Sequence, residues 1–323
     1  MPGHVMRHLA LGLLLACLGL GPAGADESYP DRPIRLIALS AAGGGVDTTV
    51  RLMAGPMGQS LGRPVVVENR PSGPSGGQVA ATARPDGYTL AADASAFAVR
   101  HRLHANLAFD YVRDFTPLAR LSIMPLLLVV PATEPAADLR SFIAAQRRRS
   151  DNPYYAAASV GSASHFAGML FVQRAGVNAQ HLTYRGGSPA AMAVLTGDAI
   201  FNFGTMPSAL GLVQGNRLRA LAVSSESRSA LLPEVPTVAE AGLPGFALYE
   251  WIGLYAPAGT PRPILERVAA AARHALADRE VVARLSLQGA EPAFLGLGEF
   301  AAFLDQQREL LGGLAESAGL RAE

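Results

Sequence analysis

The sequence has a single cysteine, Cys17, and no lysine, so that all 27 of its Lys and Arg positions are arginine. One cysteine forms no intramolecular disulfide, and Cys17 lies in an N-terminal apolar segment, so the folded part has no thiol chemistry. Charge is also scarce, because charged residues make up 16% of the 323 residues and the formal net charge is +1. A net charge this close to zero argues against a nucleic-acid partner, which needs clustered basic surface.

Long apolar runs are missing as well. The run at residues 9–20 is too short to span a membrane, and no later run reaches spanning length. It follows a short basic start and precedes Ala23-Gly24-Ala25, which is typical of a signal peptide cleaved after Ala25. We therefore expect residues 1–25 to be a signal peptide and the protein to be periplasmic. A lipoprotein site at Cys17, which would tether the new N-terminus to a membrane, is the alternative.

The most informative stretch is residues 34–61, where an apolar strand leads into the turn Gly43-Gly44-Gly45 and then into a helix. Glycine turns leave backbone N–H groups accessible, and the positive end of the helix dipole attracts an anion. Asp47 stands where an N-cap residue is expected. Neither glycine pattern of nucleotide-binding loops is present, so a small anion is favoured over a nucleotide. An ordinary strand–turn–helix unit without a ligand is the alternative.

Within the helix, Gly55-Pro56 predicts a kink or a break.

Strand–turn–helix units recur along the chain, with further glycine-containing turns at residues 161–165, 186–189 and 204–207. This alternation predicts mostly parallel, doubly wound α/β sheets, and the length allows two domains. Ligands of such sheets bind beyond the carboxyl ends of the strands, where turns lead into helices. Two such domains would direct several helix N-termini at one cleft.

Several segments are also familiar as a set, in the order YPDRPIRLI, GGGVD, RPVVVENRPSG, RPDGYTL, FDYVRDFTPLARL, GSASHFAGMLF, YRGGSPA, LPEVPTVAEAGLPGF and WIGLYAPAGTP. Together they resemble the Bug family, the extracytoplasmic solute receptors of tripartite tricarboxylate transporters. The resemblance covers nearly all of the mature chain. It implies an α/β fold of the type II periplasmic-binding-protein kind, with two doubly wound lobes joined by two crossovers and a ligand cleft between them. We expect lobe 1 to comprise residues 26–127 and 250–323, and lobe 2 to comprise residues 128–249.

The resemblance implies a non-enzymatic receptor that captures a small organic carboxylate and delivers it to the permease subunits of a tripartite tricarboxylate transporter. We expect a monomer with no cofactor and no metal. In the family, two turns hold the carboxylate with main-chain N–H groups and hydroxyls; here they correspond to residues 41–47 and 161–165, and a third turn corresponds to residues 184–187. The residues expected to contact the ligand are Ser40, Ala42, Gly43, Gly44, Gly45, Asp47, Ser95, Gly161, Ser162, Ser164, His165, Tyr184, Arg185 and Gly186.

The sequence departs from the family in ways that affect the ligand. The aromatic residue usual in the first turn is absent from Leu39-Ser40-Ala41-Ala42, which predicts a more open or more polar pocket. Asp93 follows the third strand, and if it faced the cleft it would repel a second carboxylate or pair with an amine.

Two other functions stay open at this point. The same receptor would serve as a sensor if it presented its closed form to a sensor kinase instead of a permease. A hydrolase would use Ser164 and His165, but the sequence lacks a GxSxG elbow and a placed acid. Ser162 is also a good N-cap for the helix that follows it. His101 and His104 have a spacing that suits a metal, but no third ligand is evident.

Overall fold

The computed structural model describes residues 29–40, 42–70, 74–104 and 106–320. The predicted signal peptide, its cleavage site, Cys17 and Ala41 lie outside the described residues.

Strands and helices alternate through most of the chain. The strands are β1 (Ile34–Ala38), β2 (Val65–Asn69), β3 (Thr89–Ala94), β4 (Phe115–Met124), β5 (Leu126–Pro131), β6 (Tyr154–Ala157), β7 (Gln180–Thr183), β8 (Phe201–Thr205), β9 (Leu218–Val223), β10 (Glu250–Pro257) and β11 (Glu291–Leu295). The helices are α1 (Gly45–Leu61), α2 (Pro74–Ala81), α3 (Arg100–Leu103), α4 (Leu139–Arg147), α5 (Ala163–Ala175), α6 (Gly187–Thr196), α7 (Met206–Gln214), α8 (Arg262–Leu276), α9 (Arg279–Leu287) and α10 (Leu297–Ser317), with a 3₁₀ turn at Ser95–Ala98.

The strands form two separate sheets. The first has the order β11-β4-β10-β3-β1-β2 and the second the order β7-β6-β8-β5-β9. Each sheet is mixed, so the expectation of mostly parallel sheets is wrong: β10 runs antiparallel to β3 and β4, and β5 runs antiparallel to β8 and β9. Both β5 and β10 follow a crossover from the other sheet, so they enter their sheets from the opposite direction to their neighbours.

Two crossovers connect the sheets. The first is the single residue Pro125 between β4 and β5, and the second is the segment of residues 224–249 between β9 and β10. The crossovers are hydrogen-bonded to each other, because the amide of Leu126 donates to Ser224 Oγ (3.0 Å) and the amide of Ser224 donates to the Leu126 carbonyl (2.9 Å). The chain changes sheet at Pro125, whereas the predicted division after residue 127 lies inside β5.

Helix α1 continues through Pro56 to Leu61 without the predicted break. Its buried face, which includes Val50, Met53 and Met57, packs in the apolar cluster under the first sheet. Burying several large side chains along one face stabilises the helix by more than the roughly 3 kcal/mol that an internal proline costs. Packing therefore outweighs the local sequence signal here.

The apolar core has three parts. One cluster lies under one face of the first sheet, and another lies under one face of the second sheet. The third contains residues of both lobes and includes Leu311 and Leu314 of α10. Each sheet is thus covered on both faces, which is the layered architecture of doubly wound α/β proteins. None of the described helices is both long and apolar enough to cross a membrane.

Candidate functional site

A cavity of about 530 Å³ lies between the two lobes. From the first lobe it is lined by the turn after β1, the end of β3, the end of β4 and the start of β10; from the second lobe it is lined by the start of α7. The lining residues are Ser40, Gly43, Gly45, Val46, Thr48, Ala94, Ser122, Met124, Thr205, Pro207, Glu250, Trp251, Ile252 and Gln288. The cavity therefore lies at the carboxyl ends of the strands, where α/β proteins bind ligands.

The turn after β1 is held by Asp47. Helix α1 begins at Gly45 with Gly44 as its N-cap, so the prediction that Asp47 is the N-cap is wrong. From the third helical position the Asp47 carboxylate reaches back and accepts a hydrogen bond from the Gly43 amide (2.8 Å), where φ is +79°. It also accepts from Arg51 and Asn69, each at 2.7 Å. Asp47 is buried and is not among the residues that line the cavity.

These contacts keep Asp47 ionised. Burial by itself would raise the pKa of Asp47, but the hydrogen bonds from Gly43, Asn69 and Arg51 hold it below its ordinary value. The carboxylate thus has donors from the turn, from α1 and from the end of β2. Its function in the structure is to shape the turn, and the Gly43 N–H group is used for this purpose.

The amides of Gly45, Val46 and Asp47 precede the first intrahelical hydrogen bond of α1, which Thr48 donates to the Gly44 carbonyl (2.9 Å). Such amides have no intrahelical acceptor and carry the positive end of the helix dipole. Gly45 and Val46 both line the cavity. A Cβ atom placed on Gly45 would meet no other atom within 4 Å, so the space beside this amide is open.

A second helix begins at the opposite wall. Thr205 is the N-cap of α7 and Pro207 is near its first turn; both residues line the cavity. The Thr205 hydroxyl donates to Ser208 Oγ (3.0 Å), and Ser208 Oγ donates back to the Thr205 carbonyl (2.8 Å). This exchange holds the start of α7 in place beside the cavity, so a helix N-terminus from each lobe faces the same space.

Glu250 is the one ionisable side chain among the described residues that line the cavity. It is the first residue of β10 and pairs with Met124, the last residue of β4, at the junction of the lobes. Its Oε1 atom accepts hydrogen bonds from the amides of Ser95 (2.9 Å) and Trp251 (3.2 Å). Burial raises the pKa of Glu250, and the nearby Asp93 charge adds to this effect against those hydrogen bonds.

Asp93 does not line the cavity, although the sequence suggested that it might face the ligand. It is buried and forms a two-pronged ion pair with Arg100, with nitrogen–oxygen distances of 2.6 and 3.0 Å. Its charge is therefore compensated inside the first lobe. Ser95, predicted to contact the ligand, is buried beside it and instead supports Glu250 through its amide.

Comparison with known proteins identifies the family. The model of the tripartite tricarboxylate transporter family receptors, TctC, matches residues 49–320. The chain belongs to the TctC family. It is 31% identical over 323 residues to protein BugT of Bordetella pertussis, covering 98% of this chain and 99% of that protein. These findings confirm the family resemblance seen in the sequence.

Solved structures agree with this assignment. R. palustris Rpa4515 with adipate is similar at a TM-score of 0.76 and 26% identity, over 91% of this chain and 100% of that chain. MatC (Rpa3494) from Rhodopseudomonas palustris with bound malate is similar at a TM-score of 0.68 and 30% identity, over 89% of this chain and 99% of that chain. The predicted two-lobe α/β fold of a periplasmic binding protein is confirmed.

In this TctC-family receptor, the predicted turn at residues 161–165 forms hydrogen bonds with other groups of the second lobe. The Gly161 amide donates to His165 Nδ1 (3.1 Å), and Ser162 is the N-cap of α5, with its Oγ accepting from the His165 amide (3.2 Å). Ser164 Oγ is buried and accepts from Asn202 (3.3 Å). None of these residues is among those lining the cavity, but the turn follows β6, which lies next to β8 in the sheet.

The His165 ring stacks on His181 at a centroid distance of 3.8 Å, inside the second lobe of the receptor. Burial lowers the pKa of His165 to about 3, and the neighbouring His181 contributes to the shift. His165 is thus neutral at ordinary pH and its Nδ1 atom serves as an acceptor for the turn. Ser164 and His165 hydrogen-bond to different partners, which does not suit the nucleophile pair of a hydrolase.

The third predicted turn of the receptor contributes no residue to the described lining of the cavity. The amides of Tyr184 and Gly186 donate to the carbonyls of Ala157 (2.9 Å) and Ala158 (3.1 Å), and Arg185 is exposed. Of the predicted site residues, three line the cavity: Ser40, Gly43 and Gly45. The exposed Ala42 and the N-cap Gly44 belong to the same turn but are not among its lining residues. The ligand contacts of the whole predicted set stay a prediction.

Sequence reasoning missed Thr205, Pro207 and Glu250 as site residues. The segment 204–207 has a glycine-containing turn and a helix start like those of the turns predicted to contact the ligand, so the sequence did contain a signal for this part of the site. Glu250 is an acidic residue at the start of the otherwise apolar strand EWIGLYAP, which is a weaker signal. In the part of the chain that the structure describes, no cluster of three His, Cys, Asp or Glu side chains is placed to hold a metal ion.

Proposed function

We propose that this protein is a solute-binding receptor that captures a small organic carboxylate in the interlobe cavity and delivers it to the permease of a tripartite tricarboxylate transporter. The observation that carries the proposal is the position of two helix N-termini, at Gly45–Val46 and Thr205, on opposite walls of one cavity. Backbone N–H groups at helix N-termini favour a negatively charged ligand. The adipate and malate named for two similar structures support a carboxylate.

Hydrogen bonds from backbone amides can hold a ligand carboxylate without a basic side chain. A micromolar dissociation constant requires a binding free energy of about 8 kcal/mol. Hydrogen bonds to a charged group contribute about 1.5–3 kcal/mol each, so several amides and hydroxyls reach this value after association costs are subtracted. The amides of Gly45 and Val46 are groups of this kind along the cavity wall, whereas the hydroxyls of Thr48 and Thr205 already donate to the Gly44 carbonyl and to Ser208 Oγ.

Closure of the lobes follows from the same arrangement. A ligand that contacts both walls favours the state in which both walls reach it, because it binds that state more tightly. The two crossovers, which are joined by the hydrogen bonds between Leu126 and Ser224, are the segments about which the lobes would move.

The remaining parts of the proposal rest on the family. Receptors of the TctC family act outside the cytoplasm, so we propose that the chain is exported, with the signal peptide predicted for residues 1–25. We also propose that it is not an enzyme and acts as a monomer. The permease is the partner that the family description implies.

A thermal-shift screen of the mature receptor against mono-, di- and tricarboxylates, amino acids and aromatic acids tests the proposal. A ligand that binds the native state raises the melting temperature. The carboxylate that does so should lose about ten-fold or more in affinity with Gly45→Val, because the new side chain fills the open space at the helix N-terminus. Gly55→Val, on the same helix but away from the cavity, is the matched control. If no carboxylate stabilises the protein, or if Gly45→Val binds as tightly as the control, the proposed site is wrong.

A further inference from the structure

We propose that Glu250 forms a subsite for a protonated nitrogen of the ligand, so that the natural ligand is a carboxylate that also carries a cationic nitrogen, such as an amino acid. The inference rests on the proposed function and specifies the ligand of that same cavity. It assigns the two charges of one ligand to two walls: the carboxylate to the N-terminus of α1, and the cation to Glu250.

The position of Glu250 is the first support. Among the described residues it is the one ionisable residue of the cavity lining, and it lies at the lobe junction, where β10 pairs with the end of β4. The amides of Ser95 and Trp251 both donate to its Oε1 atom, at 2.9 and 3.2 Å. These bonds orient the carboxyl group and stabilise its ionised form, since a carboxylate oxygen accepts better than that of a neutral acid.

The lack of a compensating cation in the protein is the second support. Among the described residues, no ion pair includes Glu250. The nearby Arg100 is engaged by both oxygens of Asp93. An enclosed carboxylate without a partner is costly, and a cation that arrives with the ligand removes that cost.

The remaining charges around the cavity favour the same assignment. Asp93 is paired with Arg100 and Asp47 with Arg51, so neither acid offers a free charge. The described lining of the cavity therefore combines helix N-termini, which carry partial positive charge, with the carboxyl group of Glu250 on another wall. A dicarboxylate would place its second negative charge in the same cavity as the Glu250 carboxylate, whereas an amino carboxylate matches both signs.

The alternative is that Glu250 is protonated and donates a hydrogen bond to a second ligand carboxylate. Glutamine reproduces the neutral, donating form of this side chain but cannot neutralise a cation. The substitution Glu250→Gln therefore separates the two roles.

The test uses pairs of compounds that differ by one amine: succinate and aspartate, glutarate and glutamate, adipate and 2-aminoadipate, and phenylpropanoate and phenylalanine. Affinities are measured by calorimetry for the wild type, for Glu250→Gln, and for Glu309→Gln as a control that removes an exposed charge on α10. We expect the wild type and the control to bind the amine-bearing member of at least one pair about ten-fold or more tightly, because a charge-assisted hydrogen bond is gained. In Glu250→Gln this preference should disappear.

Two results overturn the inference while leaving the proposed function intact. One is wild-type binding of carboxylates with no preference for the amine-bearing member of any pair. The other is a preference that persists in Glu250→Gln. If none of the compounds in this or the wider carboxylate screen binds the wild type, the proposed function fails, and this inference fails with it.

Discussion

The carboxylate of Asp47 accepts a hydrogen bond from the backbone N–H of Gly43, with Asp47 Oδ2 and the Gly43 nitrogen 2.8 Å apart. The two residues are four positions apart in the sequence, and the bond closes the glycine turn at the start of α1. The same carboxylate accepts from Asn69 at the end of β2 and from Arg51 one helical turn further on. One buried side chain thus connects the turn, the helix and the neighbouring strand, and positions the amides that face the cavity.

Asp47→Ala should lower both stability and ligand affinity. The change leaves the amide of Gly43 and the side chain of Asn69 without their acceptor, which should cost about 2–3 kcal/mol of unfolding free energy. Urea denaturation measures this loss, and calorimetry measures the loss of affinity. Asp305→Ala, which removes an exposed partner of Arg308, should change neither quantity by much. Equal results for the two variants would contradict the role given to Asp47.

Thr205→Val and Ser164→Ala test which part of the second lobe contacts the ligand. Thr205 lines the cavity, and its hydroxyl holds the start of α7 through Ser208, so its substitution should lower affinity several-fold by disturbing this wall. Ser164 Oγ is buried against Asn202, so Ser164→Ala should cost about 1 kcal/mol of stability and leave affinity unchanged. A loss of affinity in Ser164→Ala of similar size would show that the turn at residues 161–165 reaches the ligand when the lobes close.

The buried His165 predicts an acid-dependent loss of stability. Its pKa is about 3 in the folded protein and 6.5 ordinarily, so between these values the unfolded chain binds a proton that the folded chain does not. Unfolding free energy should therefore fall as pH falls from about 6.5 towards 3, by at most about 1.4 kcal/mol per pH unit for this group. Above about pH 6.5 the group contributes no pH dependence.

His165→Asn keeps an acceptor near the Gly161 amide but removes the titration. Its melting temperature should be lower than that of the wild type at pH 7.5, because ring packing against His181 is lost. Its further drop between pH 7 and pH 5 should be smaller than in the wild type. His274→Asn, on the exposed face of α8, is the control and should keep the wild-type slope. An unchanged slope in His165→Asn would contradict the assignment to this ring.

Local sequence signals predicted local structure well where packing agreed with them. Ser162 was expected as an N-cap, and its Oγ does accept from the third helical amide, of His165. The glycine turn before α1 was also placed correctly, because glycine is the residue that adopts the positive φ of Gly43 at little cost. At Asp47 and Pro56 the local signals were misleading. The N-cap of α1 is Gly44, and α1 continues beyond Pro56 because one face of the helix is buried.

The order of the strands in the second sheet decides which of its similar turns lines the cavity. In the second sheet, β5 begins at the crossover and β8 lies next to it, while β6 is one strand further away. Neighbouring strands are about 4.8 Å apart, so the turn after β8 reaches the interlobe cavity before the turn after β6 does. The sequence shows a similar glycine-containing turn near the end of each of β6, β7 and β8, and it does not show which of these strands lies next to the crossover strand.

The sequence by itself determined the glycine turn of the first lobe, because this turn depends on residue types at fixed local spacings, and the resemblance of the sequence to the Bug family implied the two-lobe α/β fold. Only the tertiary structure decided that Thr205 and Glu250 belong to the cavity and that Asp93 does not. Glu250 reaches the cavity because β10 returns antiparallel, which places its first residue at the edge where β3 and β4 end. Asp93 does not line the cavity, because it forms an ion pair inside the first lobe with Arg100, which lies seven positions later in the sequence. The first outcome depends on the pairing of strands that are far apart in the sequence, and the second depends on how the chain folds back between residues 93 and 100.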